Sequence, residues 1–231
     1  MNPLRATRIR SLITISVIAP LLAAGLGAAP TAGAQDLTDG GRLGGGSSQL
    51  LPDGVALGSV GGPELSQVDS VDLERYAGQW HQVAAIPQPY TLQCTNDTKA
   101  EYEITSPGTV SVRNTCGSAV SSDSVIEGEA TVRDTDTNAS LRVNFPMVPF
   151  QDENGPVNYR ITYLADDYSV AIVGDPTRSS GFVLSREPVL APEQWSTVRQ
   201  VIENRGWWSC AFLTVPMAEG RGDVTPLCLL P

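Results

Sequence analysis

Short runs in which apolar and polar residues alternate fill most of the chain between residues 80 and 186. Such period-two alternation is typical of strands with one buried and one exposed face. The pattern predicts eight strands, which cover residues 80–86, 99–105, 109–115, 125–132, 140–145, 157–164, 168–173 and 181–185. Turn residues separate consecutive strands. We therefore predict an all-β fold, an antiparallel up-and-down barrel of eight strands, because closure leaves no exposed edge.

One helix is predicted after the last of these strands. Pro192 suits the first helical turn, and Gly206 suits the position just past the helix end. Trp195, Val198 and Ile202 fall on one face of such a helix. We expect this apolar face to pack on the outside of the barrel.

The N-terminal residues have the three parts of a secretory signal. Arg5, Arg8 and Arg10 precede an apolar stretch over residues 12–26, and the small-x-small sequence at residues 32–34 fits a cleavage site. The alternative is a transmembrane anchor, but Pro20 interrupts the apolar stretch, which falls short of the ~20 residues of a span. We predict a signal peptide at 1–34, and hence a secreted or cell-envelope protein with no integral span in its mature chain.

The exported part divides into two regions by composition. Residues 35–67 are rich in glycine and serine, which predicts a flexible leader. The folded domain, with a C-terminal tail, is expected at 68–231.

Charge excludes one class of partner. The chain has 15 basic and 25 acidic residues, and it carries a net charge of −13 once the three N-terminal arginines are removed. Lys99 is the one lysine, so the sequence has no polybasic patch. A nucleic-acid backbone repels such a field, so we expect no nucleic-acid partner. The sequence does not indicate a protein partner.

Four cysteines lie in the exported part, at Cys94, Cys116, Cys210 and Cys228. An even number in an oxidising compartment predicts two disulfides. No C-x-x-C pair occurs, which argues against a structural zinc site, and we expect neither a metal nor a cofactor. Three pairings are open, and the residues alone do not choose among them.

Three motifs occur in a fixed order along the predicted strands. The sequence LERYAGQW ends at Trp80 and contains Gly78, the sequence ADDY contains Asp167 and Tyr168, and the sequence FVLSR ends at Arg186. Together with eight strands followed by one helix, they resemble the lipocalin family, and specifically its bacterial group. The Asp166-Asp167-Tyr168 sequence replaces the more usual Thr-Asp-Tyr and looks like a common bacterial variant.

The resemblance implies structural roles for these motif residues. Trp80 would close the barrel floor, Arg186 would lie across its ring and bind carbonyls of the preceding turn, and Gly78 would allow the tight backbone path. By resemblance to exported relatives that tie the second strand to the tail, we expect Cys94–Cys228 and Cys116–Cys210.

The resemblance also implies a binding cavity. If Trp80 faces inward, then every second residue of its strand faces inward too, and matching alternation in the other strands gives the rest of the lining. Several of these residues are small, which favours open space over a filled barrel. In the sixth strand two orientations stay open, since either the more apolar face of Tyr159, Ile161 and Tyr163 or Arg160 could point inward. The predicted lining consists of Gln82, Ala84, Ile86, Ala100, Tyr102, Ile104, Val112, Ala130, Val143, Phe145, Tyr159, Ile161, Phe182 and Leu184.

We therefore expect a secreted protein that binds or transports a small hydrophobic or amphipathic molecule, such as a fatty acid or lysolipid, and has no catalytic residues. His81, the single histidine, points outward by alternation and lacks convergent partners. Two alternatives stay open. One is an isomerase-like enzyme of the same fold that uses a barrel cysteine, and the other is an extracellular interaction protein with a filled barrel.

Overall fold

A computed structural model describes residues 62–119, 123–149 and 151–231. The predicted signal peptide at 1–34 and most of the predicted leader, residues 35–61, lie outside the described residues.

The described residues form nine strands and two α-helices. Eight strands belong to the barrel: β1 (Gly78–Ala85), β2 (Cys94–Ser106), β3 (Thr109–Ser118), β4 (Ser124–Val132), β5 (Ser140–Asn144), β6 (Tyr159–Leu164), β7 (Val170–Gly174) and β8 (Gly181–Ser185). The other elements are helix α1 (Leu73–Tyr76), helix α2 (Pro192–Asn204) and the two-residue strand β9 (Leu213–Thr214). Each strand from β2 to β8 pairs antiparallel with its neighbour in sequence.

Strand β1 closes the barrel because it pairs on both of its edges. Trp80 lies opposite Ala100 of β2, and Gln82 lies opposite Leu184 of β8. The far half of β1 also pairs with β9. The prediction of a closed eight-stranded antiparallel up-and-down barrel with one C-terminal helix on its wall is confirmed.

A bulge in β1 reverses the direction of its side chains. The pairing with β8 shifts between Gln82 and Ala84, so two consecutive residues stand where regular pairing would place one. Val83 and Ala84 consequently both belong to an apolar cluster on the outside of the barrel, beneath α2. The regular alternation that turns Trp80 and Gln82 towards the inside of the barrel therefore ends at Gln82.

Helix α2 packs on the outer face of the barrel, as predicted. Its apolar residues Trp195, Val198 and Ile202 are buried in the same cluster as Ile172 of β7. The helix ends before Gly206, whose φ of +83° is in the left-handed region that favours glycine. Within the described residues, no helix is both long and apolar enough to cross a bilayer.

The last residues of the predicted leader contact the barrel. Leu65 is fully buried, and its backbone N–H donates to the Pro176 carbonyl at 2.9 Å. The Gln67 amide donates to Asp134 and accepts from the Ser140 hydroxyl at 2.6 Å. Packing against the barrel therefore begins several residues before Val68, because a buried leucine and a bonded amide hold this segment in place.

The two predicted disulfides are present, but the predicted pairing is wrong. Cys94 is bonded to Cys116, with their Cα atoms 5.5 Å apart, and Cys210 is bonded to Cys228, with their Cα atoms 4.8 Å apart. The first bridge joins neighbouring strands β2 and β3. The second joins two short turns in the C-terminal segment.

The tail does reach β2, but through hydrogen bonds. The Asp97 N–H donates to the Pro216 carbonyl at 2.9 Å, and the Asp97 carboxylate accepts from the Ala218 N–H at 2.9 Å. Each cysteine already has a partner at bridging distance close by in sequence. A bond from Cys94 to the tail is therefore not needed to hold the tail against the barrel.

Candidate ligand-binding site

The barrel encloses a cavity of about 780 Å³. Its walls come from all eight strands, and its mouth is bordered by the β1–β2 segment around Tyr90 and by the loop after Asp175. Tyr90 is 63% exposed, so this segment presents an aromatic side chain at the mouth. The volume falls within the range of about 300–1,000 Å³ that is usual for small-molecule sites.

Most of the side chains predicted to face inward do line this cavity. They are mainly apolar and come from every barrel strand except β7. The residues are Gln82, Ala100, Tyr102, Val112, Ala130, Val143, Phe145, Tyr159, Ile161, Phe182 and Leu184.

Three predicted lining residues lie elsewhere. The β1 bulge turns Ala84 into the outer cluster, and Ile86 packs against that same cluster. Ile104 stands near the end of β2 that leads to the Ser106–Thr109 turn, and it is 37% exposed. The predictions for these three residues are wrong because strict alternation ignores both the bulge and the finite height of the barrel.

The structure shows which residues of β6 face the inside of the barrel. Tyr159 and Ile161 face the cavity, while the Arg160 guanidinium points away and donates to the Leu65 carbonyl at 2.7 Å. A register shift then follows between Ile161 and Tyr163, and Tyr163 packs against the outer cluster.

Some lining residues were not among those predicted. Tyr76 enters from α1, which alternation within strands does not address. Asn114 lies two residues after Val112 on β3 and faces inward like it. The period-two pattern would have predicted Asn114 if the search for lining residues had included polar side chains. Val173 of β7 also lines the cavity.

Three tyrosines form a hydroxyl cluster in the cavity wall. The Tyr159 hydroxyl oxygen lies 2.7 Å from that of Tyr76 and 3.2 Å from that of Tyr102. The rings of Tyr76 and Tyr102 are stacked, with centroids 5.8 Å apart. Two hydrogen bonds use two of the three phenolic protons, so one proton remains for another acceptor.

Burial extends the pH range over which these phenols stay neutral. It raises the pKa of Tyr102 to about 12 and raises the pKa values of Tyr76 and Tyr159 well above the ordinary 10.0. The cluster therefore offers hydrogen bonds without charge at neutral pH.

The floor beneath this cluster is built by the first and third motifs. The Trp80 indole is fully buried, and its N–H donates to the Tyr76 carbonyl at 2.8 Å. The Arg186 guanidinium lies 3.8 Å from the centre of a Trp80 ring. Gly78 has a φ of +91°, and a Cβ there would stand 3.4 Å from the Arg186 Nη1 atom.

The second motif holds α1 in place. Tyr168 has a φ of +62°, and its hydroxyl accepts from the Asp72 N–H at 3.0 Å. The Arg75 guanidinium lies 3.9 Å from the centre of the Tyr168 ring. The Asp167 carboxylate accepts from the Ser169 hydroxyl at 2.6 Å, which lowers the pKa of Asp167.

His81 lies outside the cavity, on the face of β1 opposite to Trp80. It borders a second, smaller pocket together with Lys99 and Asp97. Burial and the Lys99 charge lower the pKa of His81. In the part of the chain that the structure describes, no three His, Cys, Asp or Glu side chains converge as a metal site requires.

Comparisons with known proteins agree with this architecture. The family model described as "Lipocalin-like domain" matches residues 71–217. Temperature-induced lipocalin-1 of Arabidopsis thaliana is 32% identical over 144 residues, which is 61% of this chain and 74% of the plant protein. A putative lipocalin, R877, of Acanthamoeba polyphaga mimivirus is 26% identical over 144 residues, which is 60% of this chain and 80% of the viral protein.

A solved structure shows the same fold at low sequence identity. The major allergen Per a 4 from cockroaches superposes with a TM-score of 0.51 and 16% identity, over 68% of this chain and 95% of the allergen. The closed barrel with its apolar cavity, the floor of Trp80 and Arg186, and the match over residues 71–217 lead to one conclusion. The chain belongs to the lipocalin family.

Proposed function

We propose that this protein binds one small hydrophobic or amphipathic molecule inside the barrel and carries it outside the cytoplasm. The observation that supports the binding role most is the cavity of about 780 Å³, lined by apolar residues such as Val112, Val143 and Leu184. Burial of apolar surface stabilises a complex by roughly 25 cal/mol per Å², before the entropy cost of association is subtracted. A lining of this kind therefore favours a largely apolar ligand.

The same cavity argues against the alternative of an interaction protein with a filled barrel. Small residues, including Ala100 and Ala130, stand where large side chains would be needed to fill the interior. Close packing would leave no void of this size.

A binding role is also favoured over catalysis by an isomerase-like relative. That mechanism needs a free thiol in the barrel. All four cysteines of the chain form disulfides, and a disulfide sulfur is not a nucleophilic thiolate.

The proposed location is extracellular or at the cell envelope. Two disulfides persist in oxidising compartments, and the sequence of residues 1–34 has the organisation of a signal peptide. We further propose that the chain belongs to the bacterial group of the family, on the basis of its Asp166-Asp167-Tyr168 sequence.

A fluorescence titration tests the binding role. N-phenyl-1-naphthylamine brightens in apolar surroundings, so its emission reports transfer into the cavity. We expect saturable binding with one dye per protein. Emission that rises linearly with dye concentration, without saturation, would exclude a discrete cavity site.

A further inference from the structure

Four loops surround the mouth of the cavity, namely the β1–β2, β3–β4, β5–β6 and β7–β8 connections, and we call them the mouth loops. Two of them expose large apolar side chains. In the β1–β2 loop (residues 86–93), Tyr90 and Leu92 are 63% and 78% exposed, and in the β5–β6 loop (residues 145–158), Met147 is 84% exposed. Large apolar side chains exposed together around an opening indicate a surface that contacts a partner.

The two apolar loops lie on opposite sides of the mouth. The barrel is closed because β1 pairs with both β2 and β8, so the β1–β2 and β5–β6 connections are separated by half of its strands. Tyr90 and Val148 also line the cavity, which places the exposed side chains of both loops at its edge. A flat apolar surface laid over the mouth would therefore contact both loops at once.

The mouth loops have no exposed positive charge. Residues 86–93 and 145–149 contain no charged side chain at all. As far as the structure describes the mouth loops, their exposed charged residues are Asp123, Asp152 and Glu153, all of them acidic. The apolar side chains thus stand among neutral and acidic neighbours.

This charge pattern distinguishes between kinds of lipid surface. Anionic lipids attract proteins through exposed Lys and Arg side chains. Arg178 is the one basic residue in the sequence of the mouth loops, and it is buried, with its Nε donating to the Arg205 carbonyl at 2.6 Å. The acidic residues would repel an anionic surface, whereas a neutral one accepts apolar loops that carry no charge to desolvate.

Prolines restrict the backbone of both apolar loops. Pro87 and Pro89 lie in the β1–β2 loop, and Pro146 and Pro149 lie in the β5–β6 loop. Because proline locks φ, such loops lose little conformational freedom when they are held at a surface. Tyr90 adds a side chain with an apolar ring and a polar end, a type that is enriched where hydrocarbon meets water.

We propose that the mouth of the barrel docks on a bilayer of neutral, zwitterionic lipid, with Tyr90, Leu92 and Met147 inserted among the lipids. A protein partner packed on both loops would close the opening between them, whereas a bilayer places its hydrocarbon next to the apolar cavity. The choice of lipid as the occupant rests on the proposed function, because a hydrophobic ligand then passes between bilayer and cavity without crossing water.

Flotation with lipid vesicles tests the docking. The purified protein is mixed with vesicles of phosphatidylcholine, or of equal parts of phosphatidylcholine and phosphatidylglycerol, and the fraction of protein that floats with the vesicles is measured. We expect binding to the neutral vesicles that high salt does not weaken. We expect binding to the anionic vesicles to be about threefold weaker at low salt, because the acidic mouth loops are repelled.

Two double variants locate the contact. Leu92→Ser/Met147→Ser removes an apolar side chain from each loop and should bind neutral vesicles about tenfold more weakly. Val189→Ser/Val224→Ser is the matched control, because these valines are 57% and 59% exposed but lie outside the mouth loops, and it should bind vesicles like the unmodified protein. Neither Leu92 nor Met147 lines the cavity, so both double variants should keep the affinity for N-phenyl-1-naphthylamine measured without vesicles.

The outcomes separate this inference from the proposed function. If the dye binds but the protein ignores neutral vesicles, prefers anionic ones, or loses vesicle binding equally in both double variants, the docking proposal is wrong and the binding function stands. A dimer that Leu92→Ser/Met147→Ser dissociates, without any vesicle binding, would assign the loops to a second copy of the chain and also overturn the docking. Vesicle binding without saturable dye binding would overturn the binding function and leave the docking in place.

Discussion

The Arg186 guanidinium lies 3.8 Å from the centre of a Trp80 ring and donates hydrogen bonds to the backbone that leads into β1. Its four acceptors are the carbonyls of Arg75, Tyr76, Ala77 and Gln79, at 2.7–3.2 Å. One side chain from the end of β8 thus fixes the ring that forms the floor and satisfies the turn before it. Motifs far apart in sequence act as one structural unit.

Replacement of Arg186 by methionine should destabilise the fold strongly. The variant keeps an apolar stem over Trp80 but leaves the carbonyls without their charged donor. We expect the free energy of unfolding to fall by about 3 kcal/mol in chemical denaturation. Arg113→Met is the matched control, because Arg113 forms exposed ion pairs with Glu101 and Glu127 and should cost under ~1 kcal/mol. Equal losses in both variants would contradict the role of Arg186.

A larger side chain in the cavity should remove binding and spare the fold. Ala130 is buried in the β4 wall of the cavity, so Ala130→Phe places a ring in the space that a ligand would occupy. We expect affinity for N-phenyl-1-naphthylamine to fall at least tenfold, with the circular dichroism spectrum unchanged. Glu129→Phe, on the adjacent exposed position, should bind dye like the unmodified protein. Normal dye binding by Ala130→Phe would place the site elsewhere.

The barrel could be predicted well from the sequence because the signals that mark its strands are local. Period-two alternation and turn residues place all eight strands, and the bounds of β8 are the same in prediction and structure. The helix is equally local, since Pro192 and Gly206 mark its two ends.

Other features depend on contacts that a linear pattern does not contain. The bulge after Gln82 reverses the direction of Ala84 and Ile86, yet no residue there signals it, because both faces of β1 are apolar at that point. The Cys210–Cys228 pairing depends on the path of the C-terminal segment, whereas Cys94–Cys116 joins β2 and β3, whose adjacency the strand order already predicted.

Alkaline titration should distinguish the buried tyrosines from the others. Burial raises the pKa of Tyr102 to about 12 and those of Tyr76 and Tyr159 well above 10.0, the ordinary value that applies in the unfolded chain. A phenol with a raised folded-state pKa contributes stability that is complete below pH 10 and is lost as the pH rises towards 12.

The measurement for this prediction is absorbance at 295 nm, followed together with circular dichroism. We expect these three phenols to ionise only as the barrel unfolds above pH 11, and Tyr102→Phe to remove one of the late-titrating groups. Reversible ionisation of all six tyrosines near pH 10 in the folded protein would contradict the buried cluster.

The two disulfides should stabilise the fold to a similar extent. They join residues 22 and 18 positions apart, and the chain-entropy relation gives about 3 kcal/mol for each loop. The double variants Cys94→Ser/Cys116→Ser and Cys210→Ser/Cys228→Ser should each lose about that much in chemical denaturation. Peptide mass mapping without reduction should recover Cys94 linked to Cys116. A peptide that links Cys94 to Cys228, or a titratable thiol in the denatured unreduced protein, would overturn this assignment.

A crystal structure of the complex with N-phenyl-1-naphthylamine tests most directly the central claim, that the barrel interior is an open apolar binding site. The account predicts one dye molecule inside the barrel, in contact with Ala100, Ala130 and Leu184 above the tyrosine cluster. An interior closed by its own side chains, with dye bound only on the outer surface, would contradict it.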